Sequence, residues 1–400
     1  MTRRAVALTF CLVLVVGFSV AADPVFLQEN VASKSANEQV ATWDAKFLLD
    51  NELYPSYVLA MEGPVRDQGT AHCDGDPQGL ARVLIRPTIP NAKVHVEIQI
   101  EGLTRPSAMD VTLAEGGKQY CIAPSLHYDF PRLAKIEQSI PATVVYKVRV
   151  NGIDTGEKTL SIRVRSVNDV PYLIVAANGT RQDHARLFAA YVNESHPFVE
   201  SVLQEALRWR AVNAFDGYQR NPQDVQLQVF AIWNVLQRHH LHYSSVTTPS
   251  AASPSGRVYS QAVRFIDQSV RSQQANCVDG SVLFASILYK IGIYPILVLK
   301  PGHMFVGYYM DKNRSKTEFL ETTMLGAGDQ PGALNQPFSS LHPVQTSKSW
   351  REFVKAVQYA NQTYSREVAP AIRQSRPGYR LIDVAKARQA GINAIPHTGA

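Results

Sequence analysis

The spacing of apolar residues changes from two to about 3.6 near residue 170, and this change most constrains the fold. Apolar and polar residues alternate over residues 94–100, and strand character recurs over 144–150 and 160–164. Alternation with regularly spaced turns predicts an antiparallel sheet, so residues 55–170 are interpreted as an Ig-like β-sandwich domain. This domain has no catalytic cluster and is expected to act as a structural or spacer domain. A carbohydrate- or partner-binding role is the alternative.

Helices are predicted on both sides of this β-sandwich domain. After Val170, apolar residues over 199–207 and 225–236 recur at helical spacing, which predicts two amphipathic helices in a second domain spanning 171–400. The spacing of Val40, Trp43 and Phe47 predicts a helical N-terminal extension over 23–54. The fold class predicted for the whole chain is therefore α+β.

The first 22 residues have the layout of a secretory signal. Two arginines precede an apolar run over residues 5–18, and small residues follow up to Ala22. The alternative is an uncleaved anchor, but the run is shorter than the roughly 18 residues that span a membrane. Residues 1–22 are therefore predicted to be a signal peptide, with export to the periplasm or beyond and no integral membrane span after its removal.

Charge and motifs exclude several function classes. The net charge is +6, but the 40 Lys and Arg residues are scattered, whereas nucleic-acid binding needs a concentrated basic face. No nucleotide, flavin or phosphate loop is visible, so no cofactor is predicted. His239, His240 and His242 form a cluster that could ligate zinc, but no Cys or carboxylate at matching spacing accompanies it, so no metal is predicted.

Three of the four cysteines lie outside the predicted signal peptide. Cys73 and Cys121 share the β-rich region and are a candidate disulfide pair, which leaves Cys277 unpaired. An unpaired thiol is prone to oxidation in an oxidising compartment, so the presence of one is a first indication that Cys277 has a chemical role.

Cys277 lies at the predicted start of a helix. From Val278 onward apolar residues recur at helical spacing as far as Gly292, and Asn276 or Asp279 could cap the first turn. Unpaired backbone N–H groups at a helix start stabilise an anion, which favours a reactive thiolate there.

Three strands are predicted after this helix, over residues 294–300, 303–310 and 318–323. A turn centred near Lys312 would pair the second and third strands and place Glu321 opposite His303. A carboxylate beside an imidazole beside a thiol is the arrangement that activates a nucleophile.

The block from Gln274 to Thr323 resembles the transglutaminase-like superfamily, which has a papain-like core. The resemblance rests on a Cys at a helix start, a helix ending in Gly, a strand after Pro, His opening a strand, and an acid before Thr. It implies that Cys277 is the nucleophile, His303 the base and Glu321 the third member, where the family usually has Asp. The oxyanion donors would be the Cys277 N–H and a side chain from Gln273 or Gln274.

Two functions follow from these residues. The first is a cysteine-dependent acyl-transfer enzyme acting on peptide or protein amide bonds, either a protease or amidase or a transglutaminase. The second is a non-catalytic exported module on the same fold that binds peptide or cell-wall material.

Residues 247–256 are predicted to be a loop, which is either a rim or lid of the site or an insertion without a function. Residues 258–270 are predicted to be a helix that leads toward Cys277.

Overall fold

The computed structural model describes residues 40–61, 73–176, 178–239, 241–244, 250, 252–326 and 337–396, which contain both helices and sheets in an α+β arrangement. From Val40 onward the described chain forms one compact unit. The predicted signal peptide and the first part of the predicted extension, up to residue 39, lie outside the described residues.

The first half of the chain is dominated by strands. In chain order they are β1 (Ala41–Phe47), β2 (Glu52–Leu53), β3 (Asp74–Gly75), β4 (Ala81–Pro87), β5 (Ala92–Ile100), β6 (Thr104–Arg105), β7 (Ser107–Leu113), β8 (Tyr120–Ala123), β9 (His127–Tyr128), β10 (Ile140–Val150), β11 (Ile153–Val164) and β12 (Asp169–Val175). Three short helical segments accompany them, namely α1 (Leu48–Asn51), α2 (Pro55–Ala60) and α3 (Phe130–Leu133).

Two sheets enclose one hydrophobic core in this half. One has the order β1-β4-β8-β3 and the other β2-β11-β10-β5-β7, and both contribute buried side chains such as Val83, Val96 and Val148. The predicted strands over 94–100, 144–150 and 160–164 are confirmed within β5, β10 and β11. Burial of alternate residues explains the period of two that the sequence shows.

A two-residue turn joins β10 to β11. Val150 pairs with Ile153, and both Asn151 (φ 52°) and Gly152 (φ 80°) adopt the left-handed conformation. Asn-Gly is the dipeptide that tolerates two successive positive φ angles best, so this turn fixes the register of the longest hairpin.

The predicted helical extension is wrong over most of the residues that the structure describes, since only α1 is helical and Leu49 and Asp50 within it have positive φ angles. Residues 41–47 form strand β1, which pairs antiparallel with β4 from Ala41–Pro87 to Phe47–Ala81. Alanine or an aromatic residue occupies every second position of this segment and polar residues lie between, so it also fits the period of a strand. Because the segment pairs with β4, it forms a strand rather than a helix.

The candidate pair Cys73 and Cys121 is disulfide-bonded, with Cα atoms 4.6 Å apart. Cys121 lies on β8, and Cys73 immediately precedes β3, which pairs with β8. The bond therefore joins two segments of one sheet.

The second half of the chain contains the longer helices. Its strands are β13 (Arg181–Asp183), β14 (His242–Tyr243), β15 (Val258–Ala262), β16 (Gln274–Ala275), β17 (Pro295–Lys300), β18 (His303–Tyr309), β19 (Thr317–Leu320) and β20 (Arg380–Asp383). Its helices are α4 (Pro197–Arg208), α5 (Pro222–Arg238), α6 (Ile266–Ser272), α7 (Cys277–Lys290), α8 (Lys348–Thr363), α9 (Ala369–Arg373) and α10 (Val384–Gln389). The two helices predicted over 199–207 and 225–236 are confirmed as α4 and α5.

An antiparallel sheet of order β19-β18-β17-β20 organises this half. One face packs into the main core with helix α7, through residues such as Met304, Val306 and Phe284. The opposite face packs against α8 and α9 through Phe305 and other residues of a separate cluster. The sheet is thus covered on both faces, and α7 lies against β17 and β18.

The helix predicted over 258–270 is wrong in its first part. Residues 258–262 form strand β15, which pairs antiparallel with β12, and only residues 266–272 are helical, as α6. Val258 is buried and Tyr259 exposed, whereas residues 260–262 are half-buried, so the segment is covered only in part. Near the C-terminal end of the described chain, residues 380–383 pair with β17 as β20, and helix α10 begins at Val384.

No helix in the described part of the chain has the length and apolarity needed to cross a membrane. Residues 247–249 and 251 of the loop predicted over 247–256 lie outside the described ranges, whereas Ser250 and residues 252–256 are described.

Candidate active site

A reciprocal cap fixes the start of α7. Asn276 Oδ1 accepts hydrogen bonds from the backbone N–H groups of Val278 and Asp279, both at 2.8 Å. Asp279 Oδ2 in turn accepts from the backbone N–H of Asn276 at 3.0 Å. Both predicted capping residues are therefore used, in a capping box with Asn and Asp as its two members.

The Asp279 carboxylate also holds the segment between β15 and α6. Its Oδ1 accepts from the backbone N–H of Arg264 at 2.8 Å, and its Oδ2 accepts from the Arg264 guanidinium at 3.3 Å. Asp279 is buried, and burial raises its pKa, while hydrogen bonds from Asn276 and Arg264 oppose that rise. The carboxylate thus ties the first turn of α7 to a neighbouring segment.

Cys277 is the first residue of this helix and is partly exposed. Val278 and Asp279 donate their N–H groups to the cap, but the Cys277 N–H donates to no acceptor in the described part of the chain. A 14-residue helix directs the positive end of its dipole at the same place. The thiol and one unused backbone donor therefore lie together at the helix start.

The predicted partners His303 and Glu321 are in contact. His303 Nε2 and Glu321 Oε2 are 2.8 Å apart, and the Glu321 side chain is almost fully buried. The second oxygen, Oε1, accepts from the Thr323 hydroxyl at 2.7 Å and from the Thr323 N–H at 3.1 Å. Both carboxylate oxygens are thus held, and the acid has one orientation toward the imidazole.

The predicted pairing of Glu321 opposite His303 is wrong, although the contact between their side chains forms. The ladder between β18 and β19 ends at the pair Val306–Leu320, so Glu321 lies one residue beyond it. Glu321 instead caps a 3-10 turn, Thr322–Met324. Glutamate is one methylene longer than aspartate, and this reach lets the carboxylate contact His303 from beyond the end of the ladder.

The thiol of Cys277 is the other group that acts on the imidazole of His303. Burial lowers the pKa of His303, but its interactions with Cys277 and Glu321 outweigh this effect and raise the pKa to about 9. Since Nε2 is used by Glu321, Nδ1 is the nitrogen left for the thiol. At neutral pH His303 is therefore a cation between an acid and a cysteine.

Gly280 allows the acid-bearing turn to approach the helix closely. A Cβ added at this position would lie 3.1 Å from Thr322 Oγ1 and 3.3 Å from Thr322 Cβ. Ser281, the next helix residue, is 3.4 Å from the same Thr322 hydroxyl. The first turn of α7 is thus in contact with the residue that follows Glu321.

Replacement of Gly280 by valine is expected to displace Thr322 and, with it, Glu321. We expect the rate of Cys277 alkylation at pH 7 to fall about tenfold, because moving a positioned catalytic group by a fraction of an ångström is costly. Gly280→Ala demands a smaller displacement and gains helix propensity, about 1 kcal/mol. We therefore expect the alanine variant to unfold at an unchanged or higher temperature and to lose less of the alkylation rate than the valine variant. Equal alkylation rates in wild type and Gly280→Val would show that the close approach of Thr322 does not affect the site.

Tyr243 lies beside the site, although no sequence pattern indicated it. It pairs with Ala275, two residues before Cys277, and its side chain is 48% exposed. Burial, and then the charges of Cys277 and Glu321, raise the pKa of Tyr243, so its hydroxyl lies within electrostatic reach of both. Strand β14 is only two residues long, which is too short for any period to be detected.

The predicted oxyanion side chains have other positions. Gln273 ends α6 in the left-handed conformation (φ 53°), and its carbonyl accepts from the His242 N–H at 3.0 Å. Gln274 is an exposed residue of β16. In the described part of the chain neither amide side chain hydrogen-bonds to Cys277 or His303, so an oxyanion role for Gln273 or Gln274 stays a prediction.

No group of three metal-ligating side chains occurs within the described ranges. His239 Nε2 is 2.8 Å from Glu205 Oε2, which gives it a surface partner, and His240 lies outside the described residues.

No protein-family model matches this chain, and neither a curated protein nor a solved structure is significantly similar to it.

Proposed function

We propose that this chain is an exported cysteine-dependent acyl-transfer enzyme that acts on peptide or protein amide bonds. The observation that carries the proposal is His303, which contacts Glu321 at 2.8 Å and interacts electrostatically with Cys277 at the start of a helix. Nucleophile, base and orienting acid are adjacent in the order that nucleophilic catalysis needs.

We further propose a papain-like, transglutaminase-like fold for the second half and a β-sandwich for the first. Helix α7 carries the thiol and packs on an antiparallel sheet whose strand β18 begins with His303, which supports the first assignment. Two sheets around a shared core support the second.

In the proposed reaction the Cys277 thiolate attacks the amide carbonyl carbon and forms a C–S bond. The carbonyl electron pair moves to oxygen, and the Cys277 N–H is a donor for that oxyanion. The oxyanion then collapses, the C–N bond breaks, and the His303 imidazolium gives its proton to the leaving amine. Neutral His303 next takes a proton from the second nucleophile, which attacks the thioester carbonyl; the C–S bond breaks, and the Cys277 thiolate and the His303 imidazolium are restored.

Water as the second nucleophile makes the enzyme a protease or amidase, and an amine makes it a transglutaminase. Hydrolysis is the favoured assignment, because it requires no second substrate site. Export is part of the proposal as well, and the disulfide between Cys73 and Cys121 supports it, since such bonds persist in oxidising compartments.

The test is a pair of assays on the mature chain and its Cys277→Ala variant. Fluorescent casein reports hydrolysis by release of soluble fragments, and a dansylated alkylamine reports transamidation by incorporation into casein. We expect one of these signals from wild type and none from Cys277→Ala, with equal far-UV circular dichroism for the two proteins. Equal signals from both proteins, or none from either, would instead favour a non-catalytic peptide- or cell-wall-binding module.

A further inference from the structure

A second cavity lies at the β20 edge of the four-stranded sheet. It has a volume of about 560 Å³ and is bordered by the 3-10 turn Ala185–Tyr191, by β20 and by α10. None of its lining residues belongs to the proposed triad. Its size is within the range of small-molecule sites, roughly 300–1,000 Å³.

The two acids that line this cavity are neutralised by neighbouring groups. Asp183 is paired with the guanidinium of Arg380. Asp383 Oδ2 accepts from Arg314 at 2.9 Å and from the Tyr309 hydroxyl at 3.1 Å. Neither carboxylate is therefore left to receive a cationic ligand.

Two cations that line the cavity have no such partners. The Arg186 Nε is buried and has no hydrogen-bond acceptor in the described chain. Lys386 makes no ion pair with a described residue, and its side chain is exposed at the rim. A buried cationic donor without an acceptor is costly, and an anionic ligand would supply the missing acceptor.

The rest of the lining limits the kind of anion. Ala185, Ile296, Ile382 and Ala387 provide apolar walls, which suit an aliphatic group. A guanidinium also matches the planar geometry of a carboxylate.

We propose that this cavity binds a carboxylate carried on a small apolar body, with Arg186 as its principal partner and Lys386 as a second. Two sources share this chemistry, the C-terminal residue of a peptide and a short-chain fatty acid. This inference does not depend on the proposed acyl transfer, because it concerns binding at a different group of residues.

The test is calorimetric titration of the full mature chain with three probes. They are N-acetyl-alanyl-leucine with a free C-terminal carboxylate, the same compound as its C-terminal amide, and hexanoate. We expect the free acid to bind about tenfold or more tightly than the amide, in keeping with hydrogen bonds to charged groups. Hexanoate that binds as tightly as the peptide acid assigns the fatty acid as the source, and weaker hexanoate binding assigns the peptide terminus.

Three glutamine variants locate the interaction. Arg186→Gln is expected to weaken binding of the tighter acid at least tenfold, and Lys386→Gln several-fold, since exposed charges contribute less. Lys355→Gln removes the same charge from an exposed position on α8 outside the cavity and should bind as wild type does. Lys386 is exposed, so its variant remains informative if Arg186→Gln fails to fold. Equal affinity for acid and amide, or unchanged affinity in both cavity variants, would overturn the proposal.

Discussion

Replacing Glu321 with alanine is expected to lower the rate of amide turnover by about 10²- to 10⁴-fold, the range that general acid–base catalysis supplies. Glu321 holds His303 through a 2.8 Å contact and helps to raise the pKa of His303 to about 9. Without the carboxylate the imidazole loses its fixed orientation and much of its positive charge at neutral pH. It is then a poorer partner for a thiolate and a poorer acid for the leaving amine. Casein turnover at pH 7, measured in wild type and Glu321→Ala, checks this expectation.

Two further substitutions at the same position separate length from charge. Glu321→Gln keeps the length and a hydrogen-bond acceptor but removes the charge, so we expect most of the loss to remain. Glu321→Asp keeps the charge but shortens the reach from beyond the ladder, so we expect a smaller loss. Wild-type turnover in Glu321→Ala would mean that the acid is only a cap for the turn Thr322–Met324.

The second large effect concerns stability. Replacing Asp279 with alanine is expected to lower the free energy of unfolding by about 3 kcal/mol, because it breaks a buried ion pair and a helix cap together. The backbone N–H groups of Asn276 and Arg264 and the Arg264 guanidinium would lose their shared acceptor. Urea unfolding followed by circular dichroism measures the loss.

Asp110→Ala is the matched control for this prediction. The Asp110 side chain is 84% exposed and pairs with His95 on the surface, so we expect a change within about 0.5 kcal/mol. If the two variants unfold at the same urea concentration, the Asp279 clamp does not secure the start of α7.

The sequence was most informative where one local rule decided the structure. The alternation over 94–100 and the Asn151–Gly152 turn are decided by side-chain burial and backbone conformation within a few residues. The helix start at Cys277 was predictable for the same reason, because Asn276 and Asp279 cap it locally. These features required no knowledge of the rest of the chain.

The features that were predicted wrongly or missed depend on tertiary contacts. Residues 41–47 fit both periods, and only pairing with β4 makes them a strand. The position of Glu321 depends on where the pairing of β19 with β18 ends. Just after that point Thr322 lies close to Gly280. Tyr243 reaches the site through a two-residue strand that is distant in sequence from Cys277.

The most direct test of the proposed site is the rate of iodoacetamide alkylation of Cys277 between pH 5 and pH 10, in wild type and in His303→Ala. His303 with a pKa of about 9 stays positively charged as pH rises to that value, so the charge that stabilises a thiolate is present from pH 6 through pH 8. We therefore predict a rate in wild type that is already high near pH 6 and is lost there in His303→Ala. A rate that rises only near the free-thiol value of about 8.5, with the same profile in both proteins, would contradict the activated thiolate and the enzyme built on it.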